Sequence, residues 1–123
     1  MAHSALAAVR AALKAYVDKD RNAIEALIAD DYHFSSPLDN RLDRARYFSR
    51  CWPNSKTIDD FEEIHASEDG NFAYVVYIGS AGGRRFRNCE VHTVRDGKLI
   101  ETEVYVGWDI PHKAPNGGFI DNH

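Results

Sequence analysis

The chain has 123 residues, enough for one domain with a buried core. Its 44% hydrophobic and 28% charged residues are ordinary for a globular protein and argue against disorder. A formal charge of −4 argues against a broad nucleic-acid footprint, and no apolar run reaches membrane-spanning length. Neither nucleic acid nor membrane is therefore expected as a partner. The start, MAHSALAAVR, lacks the cationic and apolar blocks of a signal peptide, so the cytoplasm is the expected compartment. Cys51 and Cys89 are too few for a disulfide framework and read as small buried hydrophobes.

In chain order, Ser4 caps a helix that runs to residue 18, with Leu6, Val9, Leu13, Tyr16 and Val17 at helical spacing. A second helix is expected over residues 21–30, capped by Asp20 or Asn22. Tyr32 to Ser35 forms a short strand, stopped by Pro37. Asp43 caps a third helix to about Trp52, where Pro53-Asn54-Ser55 ends it.

The period then changes to two. Thr57–Ser67, Asn71–Ser80, Arg84–Arg95 and Lys98–Trp108 read as strands. Asp69-Gly70, Gly82-Gly83 and Asp96-Gly97 separate them with turn chemistry. Asp96-Gly97 suits a tight hairpin, whose two central residues both need positive φ. The expectation is one domain over 1–123, with a core at about 4–109 and an irregular tail over 110–123. Helices first and a meander afterwards mean α+β: N-terminal helices packed on a strongly curved, mainly antiparallel sheet. Such a sheet forms a cone with an internal pocket.

On the strand from Arg84, alternation puts Phe86, Asn88, Glu90, His92 and Val94 on one face. That face mixes apolar groups with an amide, a carboxylate and an imidazole. Facing a cavity, it is a candidate binding or reaction site. Glu90 is the leading candidate there, as acid, base or hydrogen-bond donor, and the competing role is a structural ion pair with an arginine or with backbone amides. His92 is the second candidate. Glu90-x-His92 offers two metal ligands but no third at a recognisable spacing, so neither metal nor cofactor is expected.

The order of motifs resembles the SnoaL-like proteins of the nuclear-transport-factor-2-like superfamily, which also holds ketosteroid isomerase. The residues concerned are Lys19-Asp20, Ala29-Asp30-Asp31-Tyr32, Ser35-Ser36-Pro37, Cys51-Trp52-Pro53 and Val94-Arg95-Asp96-Gly97-Lys98-Leu99-Ile100. The isomerase has a carboxylate base just before the proline after its first strand, where this chain carries Ser36. Its helix-one tyrosine falls on Ala12, with Tyr16 one turn further along the same face. Its protonated carboxylic acid falls on Glu90. One element of three is matched in kind, so the resemblance does not imply steroid isomerisation. The family register also sends Thr102, Val104, Val106 and Trp108 inward.

Two readings follow. In the first, a small, mostly apolar, oxygenated molecule binds against Tyr16, Ser36, Trp52, Phe86, Asn88, Thr102, Val104 and Trp108. Glu90 and His92 then serve a cofactor-independent isomerase, cyclase, lyase or hydrolase. In the second, the chain is a non-catalytic dimeric binding or interaction module, since one fold hosts many functions. Core packing competes as the role of Trp52 and Trp108. Apolar residues on the outward sheet face, with Cys89, Val91 and Tyr105 among them, point to a homodimer in either case.

Overall fold

The computed structural model describes residues 4–107 and the short strand Ile120–Asp121. Helix α1 (Ala5–Asp18) starts at Ser4, whose side chain accepts from the Ala7 amide. Its buried residues Ala5, Ala8, Val9, Ala12 and Ala15 form the stripe laid on the sheet. Lys19 ends the helix in the left-handed conformation (φ 58°), and its Nζ donates to the Ile58 carbonyl at 2.7 Å. Asp20 then caps α2 (Arg21–Leu27) by accepting from the Ala23 amide.

α2 stops three residues earlier than expected. Ile28, Ala29 and Asp30 belong instead to β1 (Ile28–Ser36), where Ile28 and Ala29 are buried. Ile28 pairs with Leu99 of β6 (Lys98–Val106) in a parallel ladder. Ladder hydrogen bonds and burial outweigh the helical spacing of an isolated segment. Past Pro37, the chain returns as β2 (Asp39–Asp43), a strand that the sequence pattern does not reveal.

Asp43 caps α3 (Arg44–Arg50), as expected, but the helix ends at Arg50. Trp52–Thr57 forms a 3-10 helix with Pro53 in its first turn, where proline's missing N–H costs nothing. Three long strands follow, β3 (Ile58–Asp69), β4 (Phe72–Ala81) and β5 (Arg84–Arg95), and then β6. Asp96 (φ 52°) and Gly97 (φ 78°) make the turn between the last two with positive φ at both positions.

The sheet runs β3-β4-β5-β6-β1-β2-β7, where β7 is Ile120–Asp121. It is curved and unclosed, antiparallel except for the parallel pairs β1–β6 and β2–β7. β7 corrects the expectation of a wholly irregular tail: Asp39 pairs with Ile120 and Asn40 with Asp121. α1 lies against β3, β4, β5 and β6, so helices cover one face of the sheet and the class is α+β. Among the described residues, no helix is long and apolar enough to cross a membrane.

One irregularity positions the site. β4 and β5 pair without a break from Phe72↔Thr93 to Ala81↔Arg84. Between β5 and β6 the register shifts: Thr93 faces Glu101, but Val94 faces Leu99. The extra residue, Ile100, is a bulge that lets Leu99 and Thr102 both point inward. Thr102 thereby lies directly opposite His92.

Candidate functional site

Between α1 and the concave face of the sheet lies a cavity of about 250 Å³. Val9, Ala12 and Tyr16 line it from α1, Phe34 and Ser36 from β1, and Tyr47 from α3. β5 contributes Phe86, Asn88, Glu90 and His92, the inward face that the period of two defines. Thr102 and Val104 complete it from β6. Of the residues expected at the site, Trp52 lies outside the lining. It packs edge-on against the Tyr16 ring, centroid to centroid 4.8 Å, as core. Trp108 lies outside the described residues.

Glu90 is 9% exposed, and among the described residues its side chain pairs with neither arginine nor backbone amide. The Tyr77 hydroxyl donates to its Oε2. His92 Nε2 lies 2.8 Å from its Oε1, and Thr102 Oγ1 lies 2.9 Å from His92 Nδ1. A carboxylate oxygen without a proton only accepts, so His92 Nε2 carries the hydrogen between them. Asn88 Nδ2 donates to the Tyr77 oxygen at 3.1 Å. The result is a continuous polar line, Asn88–Tyr77–Glu90–His92–Thr102, set into an otherwise apolar wall.

Four phenols line the same cavity as this carboxylate. Tyr16, Tyr32, Tyr47 and Tyr77 all have acidities pushed well above the ordinary tyrosine value, by burial first and with the Glu90 charge contributing to each. They are neutral hydrogen-bond groups at physiological pH. The Tyr16 and Tyr47 hydroxyls share one hydrogen bond. That bond uses one of their two hydrogens, so the other is free to meet a ligand oxygen.

Opposite β5, Arg50 donates through Nε (3.1 Å) and Nη2 (2.6 Å) to Asp39 Oδ1. Both side chains line the cavity and are largely withdrawn from water, at 17% and 6% exposure. Beside them, burial and the Asp39 charge push the Cys51 thiol up to about 12, which makes it inert. Ser36 Oγ accepts from the Leu38 amide at 3.1 Å and so shapes the turn into β2.

Tyr77, Tyr32, Tyr47 and the Asp39–Arg50 pair were not legible as site residues. Tyr77 shares its face with Ala73 and Val75 by simple alternation, so a two-residue period on β4 would have flagged it. Asp39 and Arg50 meet through an unforeseen strand, and no spacing rule connects them. Among the described residues, no group of three or more His, Cys, Asp or Glu side chains is arranged to hold a metal ion.

The sequence profile of the SnoaL-like domain matches residues 9–102. The chain belongs to the SnoaL-like domain family. The solved structures that resemble this SnoaL-like domain share its nuclear-transport-factor-2-like fold. An NTF2-like protein of unknown function from Cytophaga hutchinsonii superposes with a TM-score of 0.74 at 15% identity, over 87% of this chain and 93% of that one. An LEH-like epoxide hydrolase of M. tuberculosis gives 0.70 at 21% identity, over 84% and 82%. IdmH, a candidate polyketide cyclase from Streptomyces antibioticus, gives 0.67 at 19% identity, over 85% and 92%. At these identities the likeness establishes fold alone. A search of the curated proteins gave no match.

Proposed function

We propose that this SnoaL-like domain binds a small, largely apolar, oxygenated molecule in the cavity and moves a proton on it without a cofactor. The observation that carries the reading is the setting of Glu90. Its two oxygens are each held by one donor, from Tyr77 and His92, and each keeps lone-pair capacity. A ligand C–H or O–H that reaches these oxygens meets a fixed base in a poorly hydrated site. The spare hydrogen of the Tyr16–Tyr47 pair supplies a donor for a carbonyl or developing oxyanion. His92 and Thr102 keep Glu90 oriented. Isomerisation, ring closure, elimination and water addition all need this combination. The fold shared with a candidate polyketide cyclase and an epoxide hydrolase supports the same range of reactions.

The test is a thermal-shift screen with steroids, polyketides and other hydrophobic carbonyl compounds, read against Glu90→Gln. The glutamine fits because His92 can change tautomer, accept from the new amide and donate to Thr102. The variant should therefore keep its fold, at a cost of about 1 kcal/mol, and lose turnover of the compound that stabilises the wild type. A variant that turns over as the wild type does would remove Glu90 from the chemistry.

A second reading, a non-catalytic dimeric module, is favoured by the outward sheet face. There Phe72 is 45% and Tyr105 56% exposed, and Tyr105 pairs with Cys89, which pairs with Val76. The two readings agree on a homodimer. They differ in whether Glu90→Gln alters anything but stability.

A further inference from the structure

The cavity has a second polar pole, built on α3 and β2 and unused by the proton transfer proposed above. Arg50 and Tyr47 stand three residues apart on α3, and both line the cavity. The arginine therefore shares the helix face that Tyr47 turns to the ligand space. Its Nε and Nη2 both donate to one oxygen of Asp39, Oδ1. A guanidinium has five N–H groups, and this contact takes two of them. The outer edge, formed by Nη1 and the second hydrogen of Nη2, has no hydrogen-bond partner among the described residues. That edge can be reached: the Arg50 side chain keeps 17% of its surface accessible, and Nη1 is not a buried atom.

The edge is a fork of two parallel N–H bonds, which suits an oxygen acceptor. The charge of the lining decides which kind. Asp39 and Glu90 set two carboxyl groups against the one guanidinium, so an anionic ligand would add to a negative excess in a poorly hydrated space. A neutral carbonyl oxygen takes the same charge-assisted hydrogen bonds without that cost. We infer that the ligand carries a neutral carbonyl group whose oxygen docks on the Arg50 guanidinium, which makes Arg50 a specificity-determining residue. Asp39 holds the guanidinium in place for this contact. In the sheet, β2 lies three strands from β5, about 14 Å around the curve. A carbonyl held at Arg50 therefore directs the far end of the molecule toward Glu90. This inference rests on the small-molecule reading given above. It adds one ligand group and the residue that selects it.

The test compares three probes on one ring system: 2-acetonaphthone, 2-ethylnaphthalene and 2-naphthoate. Dissociation constants are measured by calorimetry on the wild type and on Asp39→Leu combined with Arg50→Met, which removes the donor without stranding a charge. The expected result is about tenfold tighter binding of the ketone than of the hydrocarbon by the wild type, reduced to near parity in the variant. The naphthoate should bind the wild type more weakly than the ketone. Should the variant not fold, the ¹⁵N resonances of the Arg50 guanidinium in the wild type, assigned through Arg50→Lys, decide the matter: they should shift with the ketone and not with the hydrocarbon. Equal affinities for ketone and hydrocarbon, or tighter binding of the naphthoate, would overturn the inference while leaving the cavity a ligand site. A preference for the ketone that survives in the variant would also overturn it, by placing the carbonyl on the Tyr16–Tyr47 hydroxyls. Failure of all three probes to bind would defeat the small-molecule reading, and this inference with it.

Discussion

The Phe86 ring occupies the space in which Gly79 would carry a side chain. The two residues face each other across β4 and β5, and a Cβ built on Gly79 would lie 2.3 Å from Phe86 Cζ. Glycine here serves no turn; it makes room for an aromatic wall of the cavity. Gly79→Ala should therefore push the ring out of its place and into the cavity. The expected cost is about 1–3 kcal/mol in denaturant melts, together with weaker binding of any cavity ligand. A variant of wild-type stability and affinity would show that the ring relocates freely.

Disruption of the Asp39–Arg50 pair should be costly, and removal of both charges much less so. Arg50→Met leaves the Asp39 carboxylate buried without its cation, a loss on the order of 3 kcal/mol. Asp39→Leu combined with Arg50→Met should recover most of it. Chemical denaturation of the two variants distinguishes this from a surface pair, for which both losses would fall near zero.

Alkali should unfold the protein cooperatively. Tyr16, Tyr32, Tyr47 and Tyr77 are held well above their ordinary value of 10 by burial, and Cys51 is raised from 9 to about 12. Each folded-state value is raised, so these groups contribute no loss at neutral pH. As pH climbs past 9 and then 10, the unfolded chain releases protons that the folded chain retains. Stability then falls by about 1.4 kcal/mol per pH unit for each group titrating. Tyrosinate absorbance followed against pH should show the four buried phenols ionising together with the loss of circular dichroism. Ionisation of all six tyrosines before any unfolding would contradict the burial described here.

Light scattering at micromolar concentration should give a homodimer, formed through the outward sheet face. Phe72→Lys combined with Tyr105→Lys places charge on two exposed aromatics of that face and should yield a monomer with its cavity intact. A wild-type monomer would leave the exposed aromatics without a second copy as their cover.

Local chemistry made much of this fold readable. Ser4, Asp20 and Asp43 cap the helices expected of them, because a cap is an interaction between residues three apart in sequence. The Asp96-Gly97 hairpin follows from φ preferences of the two residues themselves. Alternation placed Phe86, Asn88, Glu90 and His92 on a common inward face, because strand geometry fixes that period.

What the sequence left open was decided by contacts between distant segments. Ile28–Asp30 left the helix for β1, where Ile28 pairs in parallel with Leu99 of β6. β2 exists because Ser36 and Asp39 find each other across the Pro37 turn. The Tyr77 partner of Glu90 is equally non-local. The sequence by itself determined that a carboxylate and an imidazole share one buried face of β5. Only the tertiary structure decided that Tyr77 and His92 hold that carboxylate and that four phenols line the cavity with it. The physical reason is that side-chain period is a property of one strand, whereas register, bulges and hydrogen-bond partners are properties of the strands paired with it.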